Sequence, residues 1–276
     1  MLSATQPNLA SRTLRRGQSF QAALRTQVRV LKALILREII TRFGRHNIGF
    51  LWMFVEPMMF SVGITILWTF WGGHGKGILP VAGFALTGYS AVVAWRNCVN
   101  RTSSSLSANR ALLYHRTVTI LDIALSRALL EFSAVTFSLV ALSILFSQLR
   151  LMSLPQDPLQ ALIAWVLHGW FVISAGLIAV YLDHVSEVFD RIWHVVTYLT
   201  LPFTGAFSMM DWLPKTAQEI LLYSPMVHAV EMLREGFFGA GIRAQYDVSY
   251  LLTCNITLTA LALMLIGRVH KLLATD

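Results

Sequence analysis

Long apolar stretches dominate this chain, and short polar segments separate them. A helix that crosses a bilayer needs about 20 mostly apolar residues, and six stretches approach or exceed that length. We predict an all-α integral membrane protein with six transmembrane helices. Its membrane domain would cover residues 19–276, behind a flexible cytoplasmic tail at 1–18. The expected spans are residues 49–71, 80–105, 122–148, 159–182, 191–209 and 249–269.

The segment before the first span follows a different pattern. Its basic residues lie on one helical face and its apolar residues on another. The apolar residues recur every three or four positions: Phe20, Leu24, Val28, Leu31 and Ile35. A basic amphipathic pattern is typical of helices that lie in the headgroup layer of an anionic leaflet. We therefore expect an interface helix over residues 20–43.

Residues 211–241, between the last two spans, contain signals for two short helices. Pro214 and Pro225 each occupy the first position of a candidate helix, and Gly236 is a candidate end. Helices of about ten residues are too short to cross a bilayer. We predict a re-entrant helical hairpin that dips into the outer leaflet. Two ordinary surface helices on the outer face are the alternative.

Charge distribution indicates the orientation. The chain is 55% hydrophobic and only 13% charged, with a net charge of +8. With six spans, the side that holds both termini carries 16 Lys and Arg, whereas the opposite side carries five. Since basic residues favour the cytoplasmic side, we expect a multi-pass membrane protein with both termini cytoplasmic. No soluble basic domain remains to bind nucleic acid.

The sequence contains no phosphate-binding loop of the type that ATPases use. Such a loop requires Gly, four residues, Gly, Lys and then Ser or Thr, and the Gly-rich residues 72–77 lack this spacing. Cys98 and Cys254 likewise lack the spacing of metal ligands. We expect no cofactor or metal on this chain, so any ATP-driven activity would require ATP and Mg²⁺ to be bound by another subunit.

Three stretches carry a resemblance to a known family. They are LREIITRFG with GFLW and EP in residues 36–57, ANRALLYHR with SRALLE in residues 108–131, and SPMVHAVEMLRE in residues 224–235. Together they resemble the permease subunit of ABC-2 transporters that export capsular polysaccharide across the Gram-negative inner membrane. The O-antigen and teichoic-acid export permeases are similar, and an ABC-2 permease for a small lipid or drug is a further alternative.

The resemblance implies the ABC-2, or type V, exporter fold and a lipid-linked, anionic polysaccharide as substrate. It also implies that the chain is not itself an enzyme and works as a homodimer with two ATP-binding subunits. A periplasmic polysaccharide co-polymerase and an outer-membrane export channel would complete the assembly. In this family the region corresponding to residues 106–119 docks into the ATPase as a coupling helix. Its expected contact residues are Asn109, Arg110, Leu113, Tyr114 and Arg116.

We expect the substrate path to combine polar and aromatic side chains. The polar candidates on the second span are Tyr89, Arg96, Asn97, Asn100 and Arg101. Arginine and asparagine facing lipid would be costly, although the arginines are also placed to snorkel to the headgroups. The aromatic candidates are Trp68, Trp71, Trp95, Tyr198 and Phe207. Their alternative is the ordinary aromatic belt of membrane interfaces.

The junction between the interface helix and the first span is basic. The resemblance implies a gate here, where the lipid end of the polymer would enter. Headgroup anchoring is the alternative. The residues concerned are Arg37, Arg42, Arg45 and His46.

Charged residues inside the predicted spans need partners. We expect Glu56 to pair with a basic residue such as Arg127 or Arg96, or to cap the break that Pro57 makes in the helix. Arg127 and Glu131 lie four positions apart and form a candidate pair on one helix.

Two functions of other classes remain open. A proton-coupled flippase would need several carboxylates at mid-membrane depth. A membrane glycosyl- or prenyltransferase would need acidic residues that hold a divalent cation. The candidates for such a site are Asp183, Glu187 and Asp190.

Overall fold

The computed structural model describes residues 19–43, 47–71, 79–114, 118–186 and 188–273. The described chain is helical. Its α-helices are α1 (Ser19–Phe43), α2 (Asn47–Trp71), α3 (Val81–Ser103), α4 (Ser105–Ala108), α5 (Ile120–Gln148), α6 (Pro158–Val185), α7 (Phe189–Leu199), α8 (Lys215–Leu221), α9 (Pro225–Phe238) and α10 (Val248–Leu273). Three short 3-10 helices cover Arg110–Tyr114, Leu201–Thr204 and Met210–Trp212.

Helix α3 forms the centre of the molecule and packs against α2, α5 and α6. Most of its side chains are buried, including the polar Thr87, Ser90 and Asn97. Because protein rather than lipid surrounds this helix, it tolerates more polar residues than a lipid-facing helix would. Among the described residues, three helical segments are long and apolar enough to cross a bilayer: Ile120–Gln148, Pro158–Val185 and Val248–Val269.

Local sequence signals explain where the two longest of these helices begin. Thr119 and Asp122 form a reciprocal capping box at the start of α5, which satisfies amide groups that would otherwise lack acceptors. Asp157 accepts a hydrogen bond from the Gln160 amide at the start of α6, and Pro158 occupies its first turn.

Helix α1 lies against the first turns of α5. Gln27 donates a hydrogen bond to Asp122, and Ile35 and Ile39 pack on a cluster that contains Leu130. One face of α1 is therefore covered by protein. Its other apolar residues, among them Leu24, Val28, Leu36 and Ile40, remain exposed.

The region of the fifth predicted span differs from a continuous helix. Helix α7 has 11 residues, or about 17 Å, which is shorter than the hydrocarbon core of about 30 Å. A 3-10 turn with Pro202 near its start follows, and Gly205 has a φ of 71°. Proline cannot donate the next helical hydrogen bond, and the left-handed glycine turns the chain away.

A buried arginine stabilises this irregular segment. Arg234 on α9 donates hydrogen bonds to the carbonyls of Gly205, Ala206 and Ser208 at 2.7, 2.6 and 2.9 Å. Its guanidinium lies 3.9 Å from the centroid of the Phe84 ring. These backbone carbonyls would have no water to bind inside a membrane, so the arginine replaces it.

The two helices of the predicted outer hairpin have different surroundings. Helix α9 is packed against α6, α3 and α10, and both Glu231 and Arg234 on it are fully buried. The alternative of an ordinary surface helix is therefore wrong for α9. Helix α8, by contrast, has no buried residue.

A substitution at Gly88 can test the contact between α3 and residues 205–208, the segment to which Arg234 donates hydrogen bonds. A β-carbon there would lie 2.5 Å from the Ala206 carbonyl oxygen and 2.8 Å from Arg234. We expect Gly88→Ala to lower the free energy of unfolding by about 1–3 kcal/mol, because the backbones of α3 and of Ala206 must move apart to admit the methyl group. Thermal unfolding of the purified protein measures this change.

Gly63→Ala on α2 is the matched control, since nothing lies within 4 Å of its β-carbon position. Alanine favours a helix by about 1 kcal/mol over glycine, so this variant should be at least as stable as the parent. Equal stability of both variants would contradict the close packing at Gly88.

Candidate functional site

The first feature of the site is an ion pair between α2 and α3. Arg101 Nη2 lies 2.7 and 2.9 Å from the two carboxylate oxygens of Glu56. Glu56 therefore pairs with a basic residue, as predicted, but its partner is Arg101 rather than Arg127 or Arg96. Arg101 is in the last turn of α3, and the packing of α2 along α3 brings that turn to Glu56.

A second group of charges joins α5 to α1 and α3. Arg127 forms an ion pair with Glu38 of α1, whereas its Nε is 3.9 Å from Glu131. Glu131 accepts a hydrogen bond from Arg101 Nη1 at 3.1 Å and is 1% exposed. The predicted contact between Arg127 and Glu131 is thus present, but each residue has a closer partner on another helix.

The third contact reaches the segment that follows α3. Arg37 Nη1 donates a hydrogen bond to Asn109 Oδ1 at 2.7 Å, and Asn109 donates to the Ser105 carbonyl at 3.0 Å. These contacts border an open cavity of about 470 Å³. Its lining residues are Arg37, Glu38, Thr41, Arg101, Ala108, Asn109 and Arg127.

Glu38 is the member of this group that sequence reasoning missed. It lies next to Arg37 on a helix with many apolar residues, and that placement is a signal for a buried ion pair. The partner on α5 is 89 positions away in the sequence, so the pairing itself required the tertiary structure. We name Glu38, Glu56, Arg101, Arg127 and Glu131 the charged network.

The segment expected to contact an ATPase is two short helical turns rather than one helix. Helix α4 ends at Ala108, and a 3-10 helix follows over Arg110–Tyr114. Leu106 is buried with Ile120, and Leu113 packs on the same cluster. Asn109 is buried, whereas Arg110 is exposed. Of the expected contact residues whose side chains are described, Arg110 is therefore the most accessible.

The polar candidates on α3 do not share one environment. Asn97 is buried inside the protein. The Arg96 guanidinium lies 5.1 Å from the centroid of the Phe60 ring, and the Tyr89 ring is 6.3 Å from that same ring. Asn100 and Arg96 are partly exposed. Arg96, Tyr89 and Phe60 thus form a small group between α2 and α3.

The aromatic candidates divide into buried and exposed rings. Trp68 packs against Phe84 and Phe207, and Trp95 stacks on Phe171 at 5.7 Å. Both tryptophans are buried. Tyr198 is 58% exposed and Phe207 is 37% exposed. The exposed pair is better placed to contact a second molecule than either buried tryptophan.

Some predicted residues lie outside the described part of the chain. These are Arg45, His46, Arg116 and Glu187, together with the side chains of Arg42, Trp71, Tyr114 and Asp190. Within the described ranges, no group of three His, Cys, Asp or Glu residues is arranged to hold a metal ion.

Comparison with known proteins identifies the family. The family model described as ABC-2 type transporter matches residues 29–238. The chain belongs to the ABC-2 type transporter family. The matched range of this ABC-2 chain includes the whole charged network, the segment at 105–114 and helix α9.

Relatives of this ABC-2 chain include named export proteins. The capsule polysaccharide export inner-membrane protein CtrC of Neisseria meningitidis is 38% identical over 253 residues, which cover 92% of this chain and 96% of CtrC. BexB of Haemophilus influenzae, with the same description, is 37% identical over the same shares. The polysialic acid transport protein KpsM of Escherichia coli is 30% identical over 78% of this chain and 85% of KpsM.

The charged network makes a testable contribution to stability. Replacing Arg127 with Met leaves Glu38 without its ion-pair partner, and a partly buried carboxylate without a partner is costly. We expect Arg127→Met to lower the free energy of unfolding by about 1–3 kcal/mol. The double variant Glu38→Gln/Arg127→Met should recover part of that loss, because the uncompensated charge is gone. Thermal unfolding of the purified variants measures both effects.

Arg96→Met is the matched control for this measurement. The contact of Arg96 with the Phe60 ring is of a kind worth about 0.5–1 kcal/mol at an exposed site. Its removal should therefore cost less than Arg127→Met. An Arg127→Met protein as stable as the parent would exclude a structural role for the Glu38–Arg127 pair.

Proposed function

We propose that this chain is the membrane-spanning permease subunit of an ATP-driven exporter of capsular polysaccharide. The substrate would be a lipid-linked, anionic polysaccharide that crosses the bacterial inner membrane. The observation that carries the proposal is the similarity to CtrC and BexB over 92% of this chain and 96% of each relative. Because the similarity extends along nearly the whole length of these proteins, it supports a shared transport function and not only one shared segment.

The proposed topology has six crossings with both termini cytoplasmic. Helices α2, α3, α5, α6 and α10 each supply one crossing. The remaining crossing, which is the fifth in chain order, consists of α7 and the irregular segment that follows it. Non-helical backbone at membrane depth is tolerated where protein satisfies its polar groups, as Arg234 does for residues 205–208. Helices α8 and α9 would form the re-entrant hairpin at the outer side.

The proposed assembly is a homodimer with two ATP-binding subunits. The sequence lacks a phosphate-binding loop, so a partner must bind ATP and Mg²⁺. Residues 105–114 are the proposed docking segment, with Arg110 exposed on it. Arginine is common among residues that contribute strongly to protein interfaces. A periplasmic co-polymerase and an outer-membrane channel would receive the polymer.

The proposed substrate path lies between the two copies and is lined by α2, α3 and α7. Tyr89 and Arg96 on α3 and Tyr198 on α7 are at least partly exposed. Aromatic rings pack on the apolar faces of sugars, and a guanidinium attracts an anionic glycan. Arg37, in the second half of α1, is the proposed gate residue, because its described partner is a neutral amide.

Co-purification after gentle extraction tests the function. We expect the chain alone to hydrolyse no ATP and to retain an ATP-hydrolysing subunit from its native membrane. Vesicles containing that complex should move lipid-linked capsular polysaccharide across the bilayer when ATP is supplied. Transport that requires a proton gradient and not ATP would support the flippase alternative. Turnover of a lipid-linked sugar by the chain alone would support the transferase alternative.

The docking segment gives a mutational test. We expect Arg110→Glu to reduce the co-purified ATPase subunit about tenfold, which corresponds to about 1.4 kcal/mol. The reason is that an exposed cation at the proposed interface becomes an anion. Quantitative immunoblotting of the purified complex measures the ratio of the two subunits.

Lys215→Glu provides a control with the same change in charge. Lys215 is exposed at the start of α8, on the proposed outer side. This variant should retain the normal amount of ATPase subunit. Equal retention by both variants would remove Arg110 from the interface.

A further inference from the structure

We infer that Arg101 is a positioning residue that transmits movement of the cytoplasmic segment to α2 through Glu56. This inference rests on the proposed function, in which an ATPase moves that segment. It assigns Arg101 a mechanical role in place of the substrate contact expected from the sequence. Glu56, Glu131 and Glu38 acquire roles in the same mechanism.

Arg101 lies where α3 meets the docking segment. It is in the last turn of α3, and α4 begins at Ser105, with Ser104 between the two helices. No flexible linker separates the guanidinium from the segment that the ATPase would move. A displacement of α4 therefore displaces Arg101 through the backbone.

Glu56 converts that displacement into movement of α2. Both of its carboxylate oxygens are within 2.9 Å of Arg101 Nη2, and Glu56 lies in the third turn of α2. A carboxylate in the third turn of a membrane-crossing helix destabilises the protein unless a cation pairs with it. Charge-assisted hydrogen bonds such as this pair are among the strongest in proteins. Helix α2 should therefore follow Arg101 rather than separate from it.

A parallel connection runs through α1. The adjacent residues Arg37 and Glu38 contact Asn109 and Arg127, respectively. Glu131, four residues after Arg127, accepts a hydrogen bond from Arg101. The contacts thus close a ring from the docking segment through α1 and α5 back to α3. The ring borders the open cavity of about 470 Å³, which leaves space for its members to shift.

The contacts of Arg101 argue against its direct contact with an anionic glycan. Its guanidinium already donates to two carboxylates, those of Glu56 and Glu131. An anionic polymer would have to displace one of these internal partners and leave a carboxylate without a cation, which is costly. Arg96, by contrast, has an aromatic ring as its described neighbour.

The test compares export with ATP hydrolysis in the intact complex. Glu56→Gln, Arg101→Gln and the double variant are each purified with the ATPase subunits and placed in vesicles. The measured quantity is the amount of lipid-linked glycan exported per ATP hydrolysed. We expect each single variant to hydrolyse ATP but to lower this ratio about tenfold, within the range of typical coupling energies.

The double variant separates transmission from direct substrate contact. If Glu56 and Arg101 act through their contact, the double variant should be no worse than the poorer single variant. If Arg101 contacts the glycan itself, Arg101→Gln should lower the ratio while Glu56→Gln leaves it unchanged, and the inference fails. Multiplying effects in the double variant would also overturn it.

Arg268→Gln is the matched control. Arg268 is exposed near the end of α10, outside the charged network, and its replacement should leave the ratio unchanged. Should the glutamine variants fail to assemble, Glu56→Asp and Arg101→Lys replace them, because they keep the charge but change reach and geometry. A reduced ratio in these variants supports the inference, and a parental ratio in both overturns it.

The outcome for the parent complex distinguishes the two levels of the proposal. A parent complex that neither retains an ATPase nor exports glycan removes the proposed function, and the inference with it. A parent complex that exports glycan, with variants that keep the parental ratio, removes the inference alone.

Discussion

Charged and polar groups inside this membrane protein depend on partners supplied by the protein, because hydrocarbon offers none. At one end, Arg234 binds three carbonyls of the irregular segment at residues 205–208. At the other end, Arg101 and Arg127 bind carboxylates on neighbouring helices. Helix α3 contributes to both places and is surrounded by protein. The two ends of the molecule thus meet the same requirement by different means.

The two sets of contacts differ in how firmly they are held. Arg234 and Glu231 are fully buried, and the guanidinium is fixed by backbone carbonyls and by the Phe84 ring. The charged network is only partly buried, with about a quarter of the Arg101 and Glu56 side chains exposed, and it borders a cavity. The region around Arg234 is therefore held more firmly than the charged network, which has space to rearrange.

Family membership and the physics of the chain agree on the broad assignment but differ on individual residues. The resemblance pointed to an ABC-2 permease, and the family match covers residues 29–238. Residue chemistry also suggested Arg101 and Trp95 as substrate contacts, and in the structure Arg101 binds Glu56 and Trp95 stacks on Phe171. A residue type suited to binding sugar or phosphate is equally suited to internal packing, so only its neighbours distinguish the two roles.

The sequence alone determined the helical class and the candidate crossings, because these depend on local composition and spacing. It also indicated that charges such as Glu56 require partners. Only the tertiary structure decided that the partner is Arg101, that Glu38 joins Arg127, and that α9 is buried. Each of those contacts joins residues that lie far apart along the chain. Several chemically equivalent arginines were available, and the packing of the helices selected among them.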